Sequence, residues 1–228
     1  MATTSPATFG LLGLLATRSW TGYELTQQVR RSLRFVWPVS EGHLYREQKH
    51  LVALGWATVA EEPAGRRTRK RYEITDAGRT ALAQWLTTEP EEPHLQIEGV
   101  LRAFYSDRGT PADLVAATAA TAAAARAMLA ELGGIADEYL AAGGPMEMLE
   151  RGAGLDADHR LEFQGREVHP ERLPAVALAL DVTSELLAVV ERYFAEIAER
   201  AESWPTTSGP TLAVEARERL DRTRTRAG

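Results

Sequence analysis

Between Arg66 and Arg71 the chain reads Arg-Arg-Thr-Arg-Lys-Arg, five cations in six residues of a 228-residue sequence whose formal net charge is −6. Two β-prone segments bracket the run, Trp56-Ala57-Thr58-Val59-Ala60 and Tyr72-Glu73-Ile74-Thr75, and the turn signal Pro63-Ala64-Gly65 precedes it. Two short strands around a Gly/Pro turn form a hairpin, which places the cations at its tip. Like charges this close, with no acidic residue inside the run, cost stability unless a polyanion compensates them. A tip that merely aids solubility is the other reading of the same run.

What flanks the hairpin narrows the fold. Phe9 to Leu15 reads as a buried helix after Pro6, and Thr21-Gly22 opens a second helix with Tyr23, Leu25 and Val29 apolar. Pro38 blocks helix, and Ser40 is a good N-cap for a third helix running to Leu54, with Gly55 at the stop. Thr75-Asp76 caps a fourth helix through Leu82, Trp85 and Leu86. Three helices, a hairpin and a helix are the order of a winged helix-turn-helix, with the hairpin as the wing.

On a helical wheel, Leu44, Glu47, Gln48, Leu51 and Leu54 of the third helix share one face, and Gly42, Tyr45, Arg46, Lys49 and Ala53 the other. The second face offers a small residue, an aromatic hydroxyl and two cations, with His43 beside them. Such a surface suits a major groove, where Arg or Lys can bond guanine. An ordinary solvated helix face has the same composition. The candidate DNA-binding residues are therefore Tyr23, Ser40, His43, Tyr45, Arg46, Lys49, Arg66, Arg67, Thr68, Arg69 and Lys70. A wing of this type is expected to add affinity and salt dependence more than sequence choice.

Charge divides unevenly. Residues 1–90 hold 12 Lys/Arg against 8 Asp/Glu, a balance of +4, whereas residues 91–228 hold 14 against 24, a balance of −10. Only the first part is expected to face phosphate. The organisation read from the chain is a DNA-binding domain over 1–90, a helical dimerisation domain, also a candidate effector sensor, over 91–204, and an Arg-rich tail over 205–228, mobile or weakly helical. The fold class is mainly α with a two-stranded wing.

Several functions are disfavoured. The absence of cysteine excludes disulfides and thiolate chemistry. His43, His50, His94, His159 and His169 lack metal-ligand spacing, and there is no Gly-rich phosphate loop or serine nucleophile elbow, so no enzyme, metal or cofactor is expected. No stretch approaches the roughly 20 apolar residues of a membrane helix, and Phe9 to Ala16 lacks the flanks of a signal peptide. The expected location is the bacterial cytoplasm, at the nucleoid.

Residues 8–86 resemble the PadR family of bacterial transcriptional regulators. The resemblance is carried by Leu11-Leu12-Gly13-Leu14-Leu15, Thr21-Gly22-Tyr23-Glu24-Leu25, Trp37-Pro38-Val39-Ser40-Glu41-Gly42-His43-Leu44-Tyr45, and Gly65-Arg66-Arg67 leading to Tyr72-Glu73-Ile74-Thr75-Asp76-Ala77-Gly78. The chain departs from the family pattern at Arg46, where proline is usual, and at Gln48, where leucine is usual, so no operator sequence can be carried over. The resemblance implies a homodimer that represses, or sometimes activates, a nearby promoter. It also implies that Tyr23, Ser40, Tyr45 and the wing lie near DNA. A winged helix that binds only protein is the alternative.

The acidic half reads as helical. After a linker at Glu89-Pro90-Glu91-Glu92-Pro93 come a helix over 95–105 and an Ala-rich helix from Thr110-Pro111 to about Ala142. Residues 146–169 suggest a short helix and a loop. The last strong helix carries Leu173, Val176, Leu180, Thr183, Leu187, Val190, Phe194, Ile197, Ala201 and Trp204 at alternating steps of three and four, and Met128 and Leu132 belong to a matching pattern on the Ala-rich helix. Of these, Leu173, Val176, Leu180, Leu187, Val190, Phe194, Ile197, Met128 and Leu132 are the candidate dimer interface; a helical hairpin within one chain is the competing reading. Ala177, Val182, Leu186, Val189 and Tyr193 widen the apolar surface beyond one seam. A small aromatic or hydrophobic effector between the two domains is suggested by Trp20, Trp37 and Trp85, although these read first as core residues.

Overall fold

The computed structural model describes residues 4–64, 67–152 and 161–227, and the chain divides into two compact units, Met1–Pro93 and His94–Gly228.

The first unit begins with α1 (Pro6–Leu15), whose start is closed by a reciprocal pair of bonds: Thr8 N–H donates to Ser5 Oγ, and Ser5 N–H to Thr8 Oγ1. The same device opens α2 (Gly22–Ser32), between Thr21 and Glu24. Ser40 caps α3 (Glu41–Ala53), and Thr75 caps α4 (Asp76–Trp85). Gly55, at φ +72°, turns the chain out of α3 into the sheet. The sheet has three antiparallel strands in the order β1 (Trp20–Thr21), β3 (Arg67–Ile74), β2 (Ala57–Ala64).

One apolar cluster holds these elements together. Leu11, Leu12 and Leu15 of α1, Leu25 and Val29 of α2, Leu44 and Leu51 of α3, and Ala57, Tyr72 and Ile74 of the sheet form it. Gln48 is buried within it at 1% exposure, its Nε2 donating to Gly22 O at 3.1 Å and Thr26 Oγ1 at 3.3 Å. The amide thus replaces the packing of a leucine with two bonds from α3 to α2, and burial without them would be costly. Gly78 is equally constrained, since a Cβ there would lie 2.2 Å from Trp56 O.

The second unit is built on α6 (Pro111–Leu140) and α8 (Leu173–Ala201), which pack along each other. Around them lie α5 (Glu98–Phe104), α7 (Pro145–Glu150), a small antiparallel hairpin of β4 (Leu161–Phe163) and β5 (Arg166–Val168), and α9 (Ala213–Ala227). By length and composition α6 and α8 would also qualify as membrane spans, contrary to the sequence expectation. Their apolar residues serve two purposes here. One set joins the two helices, with Leu114, Leu132, Leu173 and Phe194 buried; the other stays on the surface of α8.

Of the two readings of the tail, mobile or weakly helical, the structure takes the helical one. Residues 213–227 are helical and tied to α8: Arg200 bonds to both Glu215 and Glu218, and Arg222 Nη1 lies 3.2 Å from Glu196 Oε1. Acidic residues interleaved among the arginines supply the partners. The 146–169 stretch differs, because β4 and β5 pair around Gln164 and Gly165, both at positive φ, where a loop was expected.

Candidate nucleic-acid interface

The third helix presents the two faces read from its wheel. Leu44, Gln48 and Leu51 are buried in the core, while Gly42, Tyr45, Arg46, Lys49 and Ala53 are exposed. The Ser40 hydroxyl accepts from His43 N at 3.3 Å, and Glu41 occupies the first turn, where the helix dipole favours a carboxylate. Glu41 also pairs with Arg30 at 2.6 Å, joining α2 to the start of α3. Tyr23 stands exposed on α2. Leu54, grouped with the core on the wheel, is half-buried as the residue following α3.

His43 is only partly available. Its Nε2 lies 3.6 Å from Glu47 Oε1, and Nδ1 lies 3.4 Å from Arg46 Nη2. Glu47 is held from below by Thr8, whose Oγ1 donates to Glu47 Oε2 at 2.6 Å. Arg46 thus stands beside an imidazole anchored through Glu47 to α1.

In the wing, register determines what each cation meets. Directly opposed pairs share a face, so Ala57–Ile74, Val59–Tyr72 and Glu61–Lys70 line one side and Ala60–Arg71 and Glu62–Arg69 the other. Glu62 takes both nearby arginines. Its Oε1 accepts from Arg71 Nε at 2.6 Å and its Oε2 from Arg69 Nε at 3.3 Å. Arg71 reaches further, to Ser19 O at 3.4 Å and to Glu24 Oε2 at 3.9 Å. The hydrogen bond from Arg71 and the two positive charges hold the Glu62 carboxyl below its ordinary range, and the same bond raises Arg71. Burial alone would raise Glu24, but bonds from Thr21 and the charges of Arg18 and Arg71 lower it.

The picture of a wing without internal counter-charge is therefore corrected. Glu62 is separate from the cation run in sequence and adjacent to it in space. The available signal was the Glu61-Glu62 pair before the turn, whose meaning depends on a strand register that the sequence leaves open. Thr68 and Lys70 are exposed. Arg67 is described as a strand position opposite Ala64, and Arg66 lies outside the described residues.

The residues read as a dimer seam line the packing of α6 on α8 within the chain. Leu173, Phe194 and Leu132 are buried, and Val176, Leu180, Leu187, Val190, Ile197 and Met128 are half-buried, as α6 and α8 face each other. Heptad spacing specifies an apolar seam but not whose helix fills it. The exposed stripe on α8 is Leu178, Val182, Leu186 and Val189, at 49–69% exposure. Val100, Leu101, Phe104 and Tyr105, in and just after α5, are exposed too.

Trp20 is a core residue, with its Nε1 donating to Leu14 O at 2.9 Å. Trp37 and Trp85 are not, at 43% and 37% exposure. Trp85 stacks on Phe9 with centroids 4.8 Å apart, and Phe9 also meets Trp56 at 5.7 Å. Among the described residues, no group of three or more His, Asp or Glu is placed to hold a metal ion.

Residues 11–84 match the Transcriptional regulator PadR-like family. Over 99 residues, 42% of this chain and 54% of the relative, the sequence is 28% identical to the Negative transcriptional regulator PadR of Bacillus subtilis. Over 86 residues, 36% of this chain and 44% of the relative, it is 33% identical to the Probable transcriptional regulator Rv1176c of Mycobacterium tuberculosis. The chain thus spans about half the length of the curated relatives it matches. The fold is similar to that of B. subtilis PadR solved in complex with operator DNA, with a TM-score of 0.57 at 20% identity over 83% of this chain and 98% of that one. It is also similar to that regulator solved with p-coumaric acid, with a TM-score of 0.51 at 20% identity over 86% and 98%.

Proposed function

We propose that this chain, whose residues 11–84 match the PadR-like family of transcriptional regulators, binds duplex DNA as a homodimer and represses transcription until a small molecule relieves it. The observation that carries this reading is the exposed face of α3. Tyr45, Arg46 and Lys49 project from a helix whose opposite side is anchored in the core, and Ser40 sets its N-terminal end. A helix held this way can enter a major groove without unfolding anything, and the wing adds phosphate contacts beside it. The solved structure of B. subtilis PadR with operator DNA supports the same use of the fold.

Homodimerisation is supported by the α8 stripe of Leu178, Val182, Leu186 and Val189. Four large aliphatics on one helix face form an exposed patch of the type that marks an interaction site. A second copy of the chain offers a matching face by two-fold symmetry. The operator is then an inverted repeat, with half-sites spaced by about one 10-bp turn or a multiple of it. The effector is a small aromatic or hydrophobic molecule, a reading supported by the p-coumaric acid complex of B. subtilis PadR. As a regulator of this kind the protein works in the bacterial cytoplasm.

Fluorescence anisotropy with the duplex upstream of the protein's own gene, at two salt concentrations, tests the proposal. Several phosphate contacts should weaken binding by orders of magnitude between about 50 and 200 mM salt. Affinity that ignores salt, or no affinity in dilute buffer, would instead support a winged helix devoted to protein contacts.

A further inference from the structure

We infer that Glu62 is an internal counter-ion that restrains the wing on non-cognate DNA, with Arg71 as its permanent partner and Arg69 as the partner released to phosphate. The inference rests on the DNA-binding reading above.

The asymmetry between the two arginines carries it. Both share one carboxylate, one on each oxygen, so they could be read as equivalent. Arg71 has partners in three places: hydrogen bonds to Glu62 at 2.6 Å and Ser19 O at 3.4 Å, and an ion pair with Glu24 at 3.9 Å. Its side chain is 24% exposed, and its residue pairs with Thr21 of β1 as well as Ala60 of β2. Moving it would break all three contacts at the junction of α2 and the sheet. Arg69 has one longer bond, 3.3 Å to Glu62, and a side chain 51% exposed. A charged pair this open is weak, a several-fold restraint at most, so the added contacts at a cognate site are enough to release it.

The shared carboxylate also addresses a problem that a simple pair would create. If Arg69 alone neutralised Glu62, its departure to phosphate would leave a bare carboxylate facing a polyanion. Here Arg71 stays in place, so Glu62 remains paired after Arg69 leaves. Glu62 is the more readily kept ionised because that bond holds its carboxyl below the ordinary range. With Arg69 held back, the wing attracts an arbitrary duplex less strongly. Only a site where α3 also makes its base contacts provides the further interactions that draw Arg69 across. Since sequence-independent attraction sets non-specific affinity, restraining it raises the ratio of specific to non-specific binding.

The test compares the full-length wild type with Glu62→Gln, Arg69→Gln and the double variant, on the upstream operator and on an unrelated duplex of equal length, across a salt series. Glu62→Gln should bind the unrelated duplex several-fold more tightly, with a salt slope steeper by about one. Its gain on the operator should be smaller, so selectivity falls. Arg69→Gln in the wild-type background should flatten the slope by about one on the operator and barely change it on the unrelated duplex. In the Glu62→Gln background it should flatten both, a coupling that identifies Glu62 as the restraint.

The inference is overturned if wild type binds DNA but Glu62→Gln leaves the unrelated duplex unaffected. It is equally overturned if Arg69→Gln flattens both slopes in the wild type. Should no variant, wild type included, bind DNA in a salt-dependent way, the DNA-binding reading itself is lost and this inference with it. Arg69→Gln alters an exposed side chain, so its result remains informative even where Glu62→Gln perturbs folding.

Discussion

The two units leave opposite kinds of surface uncovered. In the first, one apolar core holds the elements together, and although Val36, Trp37 and Leu86 stay exposed, the outward face of α3 and the wing is polar and charged, with Tyr45, Arg46, Lys49 and Lys70. In the second, α6 and α8 join through one apolar seam, yet a second apolar stripe remains outside on α8. The first unit's most distinctive exposed face is thus cationic, whereas the second's is a continuous run of hydrocarbon on one helix. On the function proposed above, the first surface is suited to a polyanion and the second to an apolar face like itself.

Substitutions can separate seam from stripe. The largest effect is expected from Val182→Glu with Leu186→Glu. Both positions are exposed, so each chain should keep its helical content while the dimer dissociates and operator affinity falls at least about 100-fold, since two half-sites can no longer be held together. Sedimentation velocity reads the first change and anisotropy the second. A dimer that persists would move the interface elsewhere.

Phe194→Ala strikes the seam instead. Phe194 is buried and packs close to Gly99 of α5, so its truncation should cost about 3–5 kcal/mol of stability. Thermal unfolding would show this as a lower midpoint in the second unit, with the exposed face of α3 unchanged. If Phe194→Ala and the stripe variant proved indistinguishable, seam and stripe would not be separate surfaces.

Two smaller effects belong to caps. Ser40→Ala removes the acceptor for His43 N and should cost roughly 0.5–2 kcal/mol, seen as a lower denaturation midpoint. Asp113, which closes the start of α6, accepts bonds from the Thr110 hydroxyl and backbone, and these lower its pKa. A carboxyl with a lower pKa folded than unfolded stabilises above the unfolded value, and that stabilisation is lost as pH falls through the folded one. Acid titration of wild type should therefore show a loss below about pH 4 that Asp113→Asn lacks.

Much of this fold is written locally. Thr21, Ser40, Thr75 and Thr110-Pro111 each mark a helix start because a cap needs only its own neighbours, and the structure places the helices there. The exposed face of α3 was equally legible, since a helix of known start fixes which residues lie together. What stayed hidden depends on distant pairing. The two-residue strand β1 exists only because Trp20 and Thr21 meet Tyr72 and Arg71, some fifty positions later. Glu62 joins Arg69 and Arg71 only in one hairpin register. The residues of α9 look like a solvated tail until Arg200 and Glu196 of α8 are opposite them. For α8, periodicity revealed an apolar seam and a wider surface but could not say that α6 of the same chain fills the seam.

Sedimentation of the full-length protein with a labelled duplex from its own upstream region, in dilute buffer and again at raised salt, tests the central claim most directly. Two chains per duplex are expected in dilute buffer, with release of the DNA at raised salt while the protein remains dimeric. A single chain on the duplex, or a dimer that separates together with its DNA when salt rises, would contradict it.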